Sequence, residues 1–236
     1  MKKLYEGKAK ILYEAENNEQ IIQYFKDDTT AFNNQKFAIN KGKGELNNII
    51  SSYFMECLHK FSIKTHFIKK IDERNQLVQK VQIIPLEVIV RNISAGSFCK
   101  KFGLERGIIL EKPLVEFSLK RDDLGDPLIP EDHISVLKIA SLNEIQHLKA
   151  QALGINKVLQ DEFKKIGIIL VDFKIEFGKN SSGEIILADE ISPDSCRLWD
   201  SQTKESFDKD LFREDKGDLV AGYKEIAKRF GLSVEI

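Results

Sequence analysis

The sequence lacks the features that mark several common protein classes. Its three cysteines, Cys57, Cys99 and Cys196, are far apart and form no CxxC pair. That spacing argues against a disulfide framework or a cysteine-built metal site, and a reducing cytoplasm is the expected setting. No stretch approaches the ~20 apolar residues that span a bilayer, and Met1 to Gly7 carries no apolar run of the signal-peptide kind. Neither charge sign is in excess: 36 Lys+Arg face 37 Asp+Glu. No overall field therefore draws the chain to nucleic acid or a membrane surface, and local clusters must carry any charge chemistry. GxxxxGK[ST] and GxGxxG are both missing, so a nucleotide would have to be held in another way. The GxSxG elbow and the HRD and DFG signatures are missing too, which counts against a serine hydrolase and a protein kinase. His59, His66, His133 and His147 are scattered and read as structural or surface residues. There is no internal repeat or low-complexity tract.

What remains is a globular composition, 42% hydrophobic and 31% charged, long enough for one large core or two lobes. Leu4 to Glu14 alternates as a strand, with Ala9, Ile11 and Tyr13 on one side and Lys8 and Lys10 on the other. Residues 20–25 and 36–39 are short strands. Ile49, Ile50, Tyr53, Phe54, Cys57, Leu58 and Phe61 recur at helical spacing and predict a helix over 45–61. Strands follow at 63–71, 76–83 and 86–91, with a break or hinge expected at Pro85. Residues 94–102 read as a short helix, 110–119 as extended chain, and 121–132 as a loop. Ser141-Leu-Asn-Glu144 is a capping box opening a helix to about Ile166. Strands at 168–177 and 184–191 flank a turn, and helices are expected at 205–214 and 218–230. The natural lobe boundary lies near Pro85–Ser94, giving units 1–85 and 86–236 with a ligand cleft between them.

The most informative segment is Val171 to Gly178. Strand alternation puts Asp172, Lys174 and Glu176 on one face and Val171, Phe173, Ile175 and Phe177 on the other. If the hairpin folds about Ser181, Asp189 lies opposite Asp172. Carboxylates gathered this way repel until a cation joins them. Mg²⁺ fits, being a hard ion held by one or two carboxylates plus phosphates, and Glu176 and Asp189 are the expected ligands. A solvated hairpin with surface charges is the competing reading, weakened by the apolar runs on both sides.

Lys8 and Lys10 on one strand face suit the β- and γ-phosphates of a nucleotide, although such a pair also occurs on solvated strands. Arg91 ends an apolar strand, Ala95-Gly96-Ser97 offers backbone N–H groups at a helix start, and Arg197 follows Ser192-Pro-Asp-Ser-Cys196. Together they suit a phosphate monoester such as a ribotide 5′-phosphate; singly, each reads equally well as a salt bridge or a capping turn.

These segments resemble the SAICAR synthetase family. The matching stretches are 4–10, 28–32, 41–44, 84–92 with 95–97, 170–178 and 189–200, in the family's order over nearly the whole chain. The resemblance implies an α+β, ATP-grasp-like fold, with ATP between a small β-rich N-terminal lobe and a larger α+β lobe. It implies ligation of L-aspartate to the carboxylate of a carboxyaminoimidazole ribotide with cleavage of ATP, in purine biosynthesis, by a cytoplasmic homodimer with Mg²⁺. Lys8, Lys10, Lys80, Val81, Lys120, Glu176 and Asp189 would serve ATP, the last two through the metal. Arg91, Ser97, Asp172, Lys174 and Arg197 would hold the ribotide, with Lys174 and Asp172 as the catalytic pair. Two positions depart from the family's pattern. Asn33 stands where an acid is usual. Cys196 replaces a small hydroxyl residue beside Arg197, which predicts a looser phosphate contact.

The chemistry follows from leaving groups. A carboxylate does not accept an amine at neutral pH, because oxide would have to leave; an acyl phosphate releases phosphate instead. Phosphoryl transfer is mostly positioning and charge neutralisation, which lysines and a metal supply. The same groups would also serve a phosphotransferase with a hydroxyl acceptor, or a non-catalytic nucleotide-binding protein.

Overall fold

The computed structural model describes residues 2–32 and 35–233. Two antiparallel sheets organise the chain. The first contains β1 (Lys3–Glu6), β2 (Lys10–Glu14), β3 (Gln20–Phe25), β6 (Phe67–Lys70) and β7 (Asn75–Gln79), in the order β1-β2-β3-β7-β6. The pair β4 (Asp28–Ala31) and β5 (Lys36–Ile39) stands apart as a small hairpin. The second sheet has the order β11-β10-β8-β9, formed by β8 (Gln82–Ile93), β9 (Ile109–Leu119), β10 (Ile168–Lys179) and β11 (Ile185–Ala188). β12 (Cys196–Asp200) also pairs with β10. This is an α+β arrangement, as the sequence predicts.

One face of the second sheet carries the core. Phe173, Ile175 and Phe177 of β10 pack there with Val88 and Val90 of β8. α1 (Lys43–Lys60), α4 (Leu142–Lys165) and α6 (Leu219–Arg229) close over them with Phe54, Phe163 and Tyr223. α4 begins at the expected capping box: Ser141 Oγ accepts from the Glu144 N–H at 3.3 Å, and Glu144 accepts from the Ser141 N–H at 2.7 Å. α6 is capped by Asp218, whose carboxylate accepts from the N–H groups of Val220 and Ala221.

Several expectations are corrected. The predicted strand over 4–14 is interrupted: Gly7 to Ala9 form the turn between β1 and β2, where the Gly7 N–H donates to the Lys10 carbonyl at 2.8 Å. Lys8 and Lys10 therefore do not share a strand face. Pro85 does not break the chain. β8 runs through it, and the pairing with β10 shifts between Glu176–Glu87 and Gly178–Ile83, an irregularity of the kind that accommodates a proline. The Pro85 carbonyl accepts from the Lys120 N–H at 3.1 Å. The helix expected at 205–214 shortens to α5 (Asp210–Arg213). β4, β12 and the short α3 (Glu131–Val136) were not foreseen, whereas 94–102 is α2 (Gly96–Phe102).

A register irregularity between Leu170 and Asp172 reshapes the acidic strand. Ile168 and Leu170 face the core, and so do Phe173, Ile175 and Phe177. The extra residue sends Val171 to the opposite side, into a small cluster with Ile93, Ala95 and Trp199. Val171 thus does not share a face with Phe173, as simple alternation required.

Candidate active site

β10 supplies the floor of the site. Its two ends pair along one edge with different strands: residues 168–173 with β12 and 176–179 with β11. Between those strands, residues 189–195 leave the sheet edge opposite Lys174. The Lys174 N–H still donates to the Ser195 carbonyl at 2.8 Å. Glu176 pairs with Ala188, so Asp189 does not lie across from Asp172 as a fold about Ser181 would place it. β11 has already ended, and Asp189 adopts a left-handed backbone with φ 65°. The buried His66 ring fixes that turn, its Nε2 lying 2.9 Å from the Asp189 carbonyl oxygen.

The diverging segment and the first sheet enclose a cavity of about 710 Å³. Leu12, Ile21, Val78, Val81 and Ile83 give it an apolar wall, and Lys8, Lys10, Lys120, Lys174, Glu176 and Asp189 a charged one. Lys10 pairs with Asp189 and, at 2.9 Å, with Glu190. Lys120 meets Glu176 at 2.7 Å, and Lys174 meets Glu87 at 2.8 Å and Glu176 at 3.1 Å. Lys8 reaches Asp122 at 2.7 Å. Burial alone would discharge Lys10 and Lys174. The carboxylates of Asp189 and Glu190 around the first, and Glu176, Asp189 and Glu87 around the second, hold both ammonium groups charged. Against the pull of burial, Lys10 and Lys174 keep Asp189 ionised well below the usual carboxylate range.

Glu176 and Asp189 both present carboxylates to this cavity. No group of three or more His, Cys, Asp or Glu side chains among the described residues is placed to cage a metal. Two hard oxygen donors with the remaining positions left to phosphate and water is how Mg²⁺ is usually bound, so the residues fit that ion.

A second constellation adjoins the cavity. Asp172, buried at 3% exposure, accepts from Arg91 Nη1 at 2.9 Å and from Arg197 Nη1 at 2.9 and 3.1 Å. Glu116 holds Arg91 Nε at 2.5 Å, and Asp210 holds Arg197 Nε at 2.8 Å. Ser97 Oγ lies 3.5 Å from Arg91 Nη2. Gly96, at φ 56°, lets the backbone pass against Arg197; a Cβ there would lie 2.6 Å from the guanidinium carbon.

Not every expected residue reaches a site. Lys80 is exposed and contributes only a backbone N–H to the Glu19 carbonyl, while its neighbour Val81 lines the cavity. Cys196 points away from Arg197, because alternation along β12 buries its thiol in the core beside Leu198. It gives no looser phosphate contact, and burial raises its pKa. Asn33 lies outside the described residues. Sequence reasoning missed Glu87, Glu190, His66, Asp194 and Lys209. The signal for Glu87 was available, since it sits on the strand that pairs with Glu176. The others depend on where 189–195 and 207–210 turn, which no periodicity records.

The SAICAR synthetase family model matches residues 3–230. The phosphoribosylaminoimidazole-succinocarboxamide synthase of Wolbachia pipientis subsp. Culex pipiens (strain wPip) is 52% identical over 236 residues, covering 99% of this chain and 98% of that one. The crystal structure of the Ehrlichia chaffeensis protein of the same name superposes with a TM-score of 0.97 at 46% identity, covering 99% of this chain and 100% of that one. A SAICAR synthetase (Type-2) in complex with ADP superposes at 0.95 with 50% identity, covering 98% and 99%.

Proposed function

The chain belongs to the SAICAR synthetase family, and from that premise we propose how its cleft works as an ATP-dependent carboxylate–amine ligase of purine biosynthesis. The reaction joins L-aspartate to 5-amino-1-(5-phospho-D-ribosyl)imidazole-4-carboxylate (CAIR), with ATP giving ADP and phosphate. One observation carries the reading: five lysines and the carboxylates of Glu176 and Asp189 face a single cavity of about 710 Å³, beside two arginines fixed on one aspartate.

The apolar wall around Val81 suits a nucleobase, and its position against Lys8 and Lys10 sends the phosphates toward Glu176 and Asp189. Mg²⁺, bound there, would neutralise phosphate oxygens. Lys8, Lys10 and Lys120 add positive charge where the transferring group carries its negative charge. Arg91, Arg197 and Ser97 receive the ribotide phosphate. Asp172, both of whose oxygens accept from the arginines, keeps them aligned. That leaves Lys174, two residues along the same strand face, nearest the imidazole carboxylate. A carboxylate oxygen attacks the γ-phosphorus, ADP leaves, and an acyl phosphate forms. The aspartate amine then attacks the acyl carbon, its proton is lost, and phosphate departs with the carboxyl oxygen. The two sheets support a nucleotide lobe and a ribotide lobe, but with the division between β7 and β8 rather than at 85/86, because β8 runs through Pro85 within the second sheet. The family likeness supports a cytoplasmic homodimer; among the described residues, no helix is long and apolar enough to cross a membrane.

Omitting substrates one at a time tests the proposal. Phosphate release should require ATP, CAIR and L-aspartate together. Release that persists without aspartate would favour a phosphotransferase or hydrolase.

A further inference from the structure

The remaining substrate, L-aspartate, needs cationic partners close to the ribotide. The cavity holds cations that the reading above leaves unused. Among the described residues lining it, each lysine or arginine but one has an ion-pair partner. Lys8 pairs with Asp122, Lys10 with Asp189, Lys120 and Lys174 with Glu176, and Arg213 with Asp210. Lys209 has none among them. Its backbone N–H donates to the Pro193 carbonyl at 3.2 Å, which pins it where α5 begins, while its half-buried side chain faces the cavity.

Asp194, the carboxylate that acts on Lys209 most strongly, makes no ion pair with it. Asp194 already accepts from Lys43 at 2.5 Å, from Asn47 at 2.9 Å and from Tyr223 at 2.6 Å. Burial, with further opposition from Lys43 and Arg213, lowers the Lys209 pKa. A desolvated ammonium with no bonded anion is costly, and a ligand carboxylate would relieve it.

Arg213 indicates where this group lies. Asp210 bridges Arg213, at 2.7 Å, and Arg197, at 2.8 Å. The free part of the Arg213 guanidinium therefore borders the ribotide end of the site, and Lys209 lies where that end meets the nucleotide side, in the field of Glu190, the partner of Lys10. An amine donor must come within bonding reach of the activated ribotide carboxyl, so its own anchoring groups belong at that border.

We propose that Lys209, with the part of Arg213 not engaged by Asp210, binds a carboxylate of the amine-donor amino acid. This rests on the ligase reading above. Lys209 is a binding residue in this role: it fixes the donor and takes no part in phosphoryl transfer.

The test is steady-state kinetics of Lys209→Met with each substrate varied in turn. Losing one charge-assisted contact should raise the KM for L-aspartate about tenfold or more, with the KM values for ATP and CAIR within about twofold of wild type. Lys209→Gln gives the same comparison should the methionine variant fail to fold. Succinate, a dicarboxylate without the amine, should compete with aspartate in wild type and weaken as an inhibitor in parallel with the aspartate KM. An unchanged aspartate KM, or a rise confined to CAIR or ATP, overturns the assignment. A wild-type protein that releases phosphate without needing aspartate would instead sink the ligase reading, so the two failures are distinguishable.

Discussion

Glu176 is the residue on which the charged face converges. Lys120 and Lys174 both reach Oε1, and the side chain is almost wholly buried. Glu176→Gln keeps the shape and removes the charge that balances two lysines and supplies a hard donor. The expected result is a fall in kcat of about two orders of magnitude or more, with circular dichroism unchanged; wild-type turnover would refute its role. His66 makes a different prediction. Burial, with Lys10 nearby, lowers its pKa to about 4. In the unfolded chain the value is about 6.5, so the unfolded state takes up the proton first. The stability that neutral His66 contributes is fully present above about pH 6.5 and is lost as pH falls toward 4, up to about 3 kcal/mol. Thermal unfolding between pH 7 and 4.5 should show His66→Gln losing less stability than wild type, because the glutamine amide can still donate to Asp189 but cannot be protonated. Parallel losses would exclude the histidine as the cause. His66 illustrates what residue types alone conceal: a histidine read as structural or surface sits beneath the acidic turn.

Elements were legible where a local rule fixed them. The capping box placed α4, because Ser141 and Glu144 satisfy each other's backbone N–H groups whatever the rest of the chain does. Ser141→Ala should cost about 1 kcal/mol and lower the Tm without altering any KM, since α4 lies on the core side of the sheet. An unchanged Tm would mean that the helix end is held by other contacts. Elements were misread where tertiary pairing overrode a local preference. Pro85 reads as a break, yet β8 passes through it at a register shift. Alternation put Val171 in the core, yet the irregularity beside Asp172 turned it toward Trp199. β12 was hidden because Pro193 and Asp194 precede it, and its partner on β10 lies 23 or more residues earlier. The same strand explains Cys196: once β12 exists, alternation gives Arg197 to the site and Cys196 to the core.

At the scale of the whole molecule, two antiparallel sheets and three core helices leave an opening in which the charged residues of distant segments meet. The separation of a β-rich beginning from a mixed remainder followed from hydrophobic periodicity, and the α+β, ATP-grasp-like class from the motif resemblance. The meeting of Lys10 with Asp189, 179 residues apart, followed only from the motif resemblance, since spacing along a chain carries no record of which loops fold together. The central claim is that this opening passes the ATP γ-phosphoryl group to a ribotide carboxylate. The most direct test uses CAIR labelled with ¹⁸O in both carboxylate oxygens, with mass analysis of the phosphate released as L-aspartate is consumed. One ¹⁸O atom in each phosphate is the predicted result. Phosphate carrying no label, formed at the same rate as the succinocarboxamide, would contradict it.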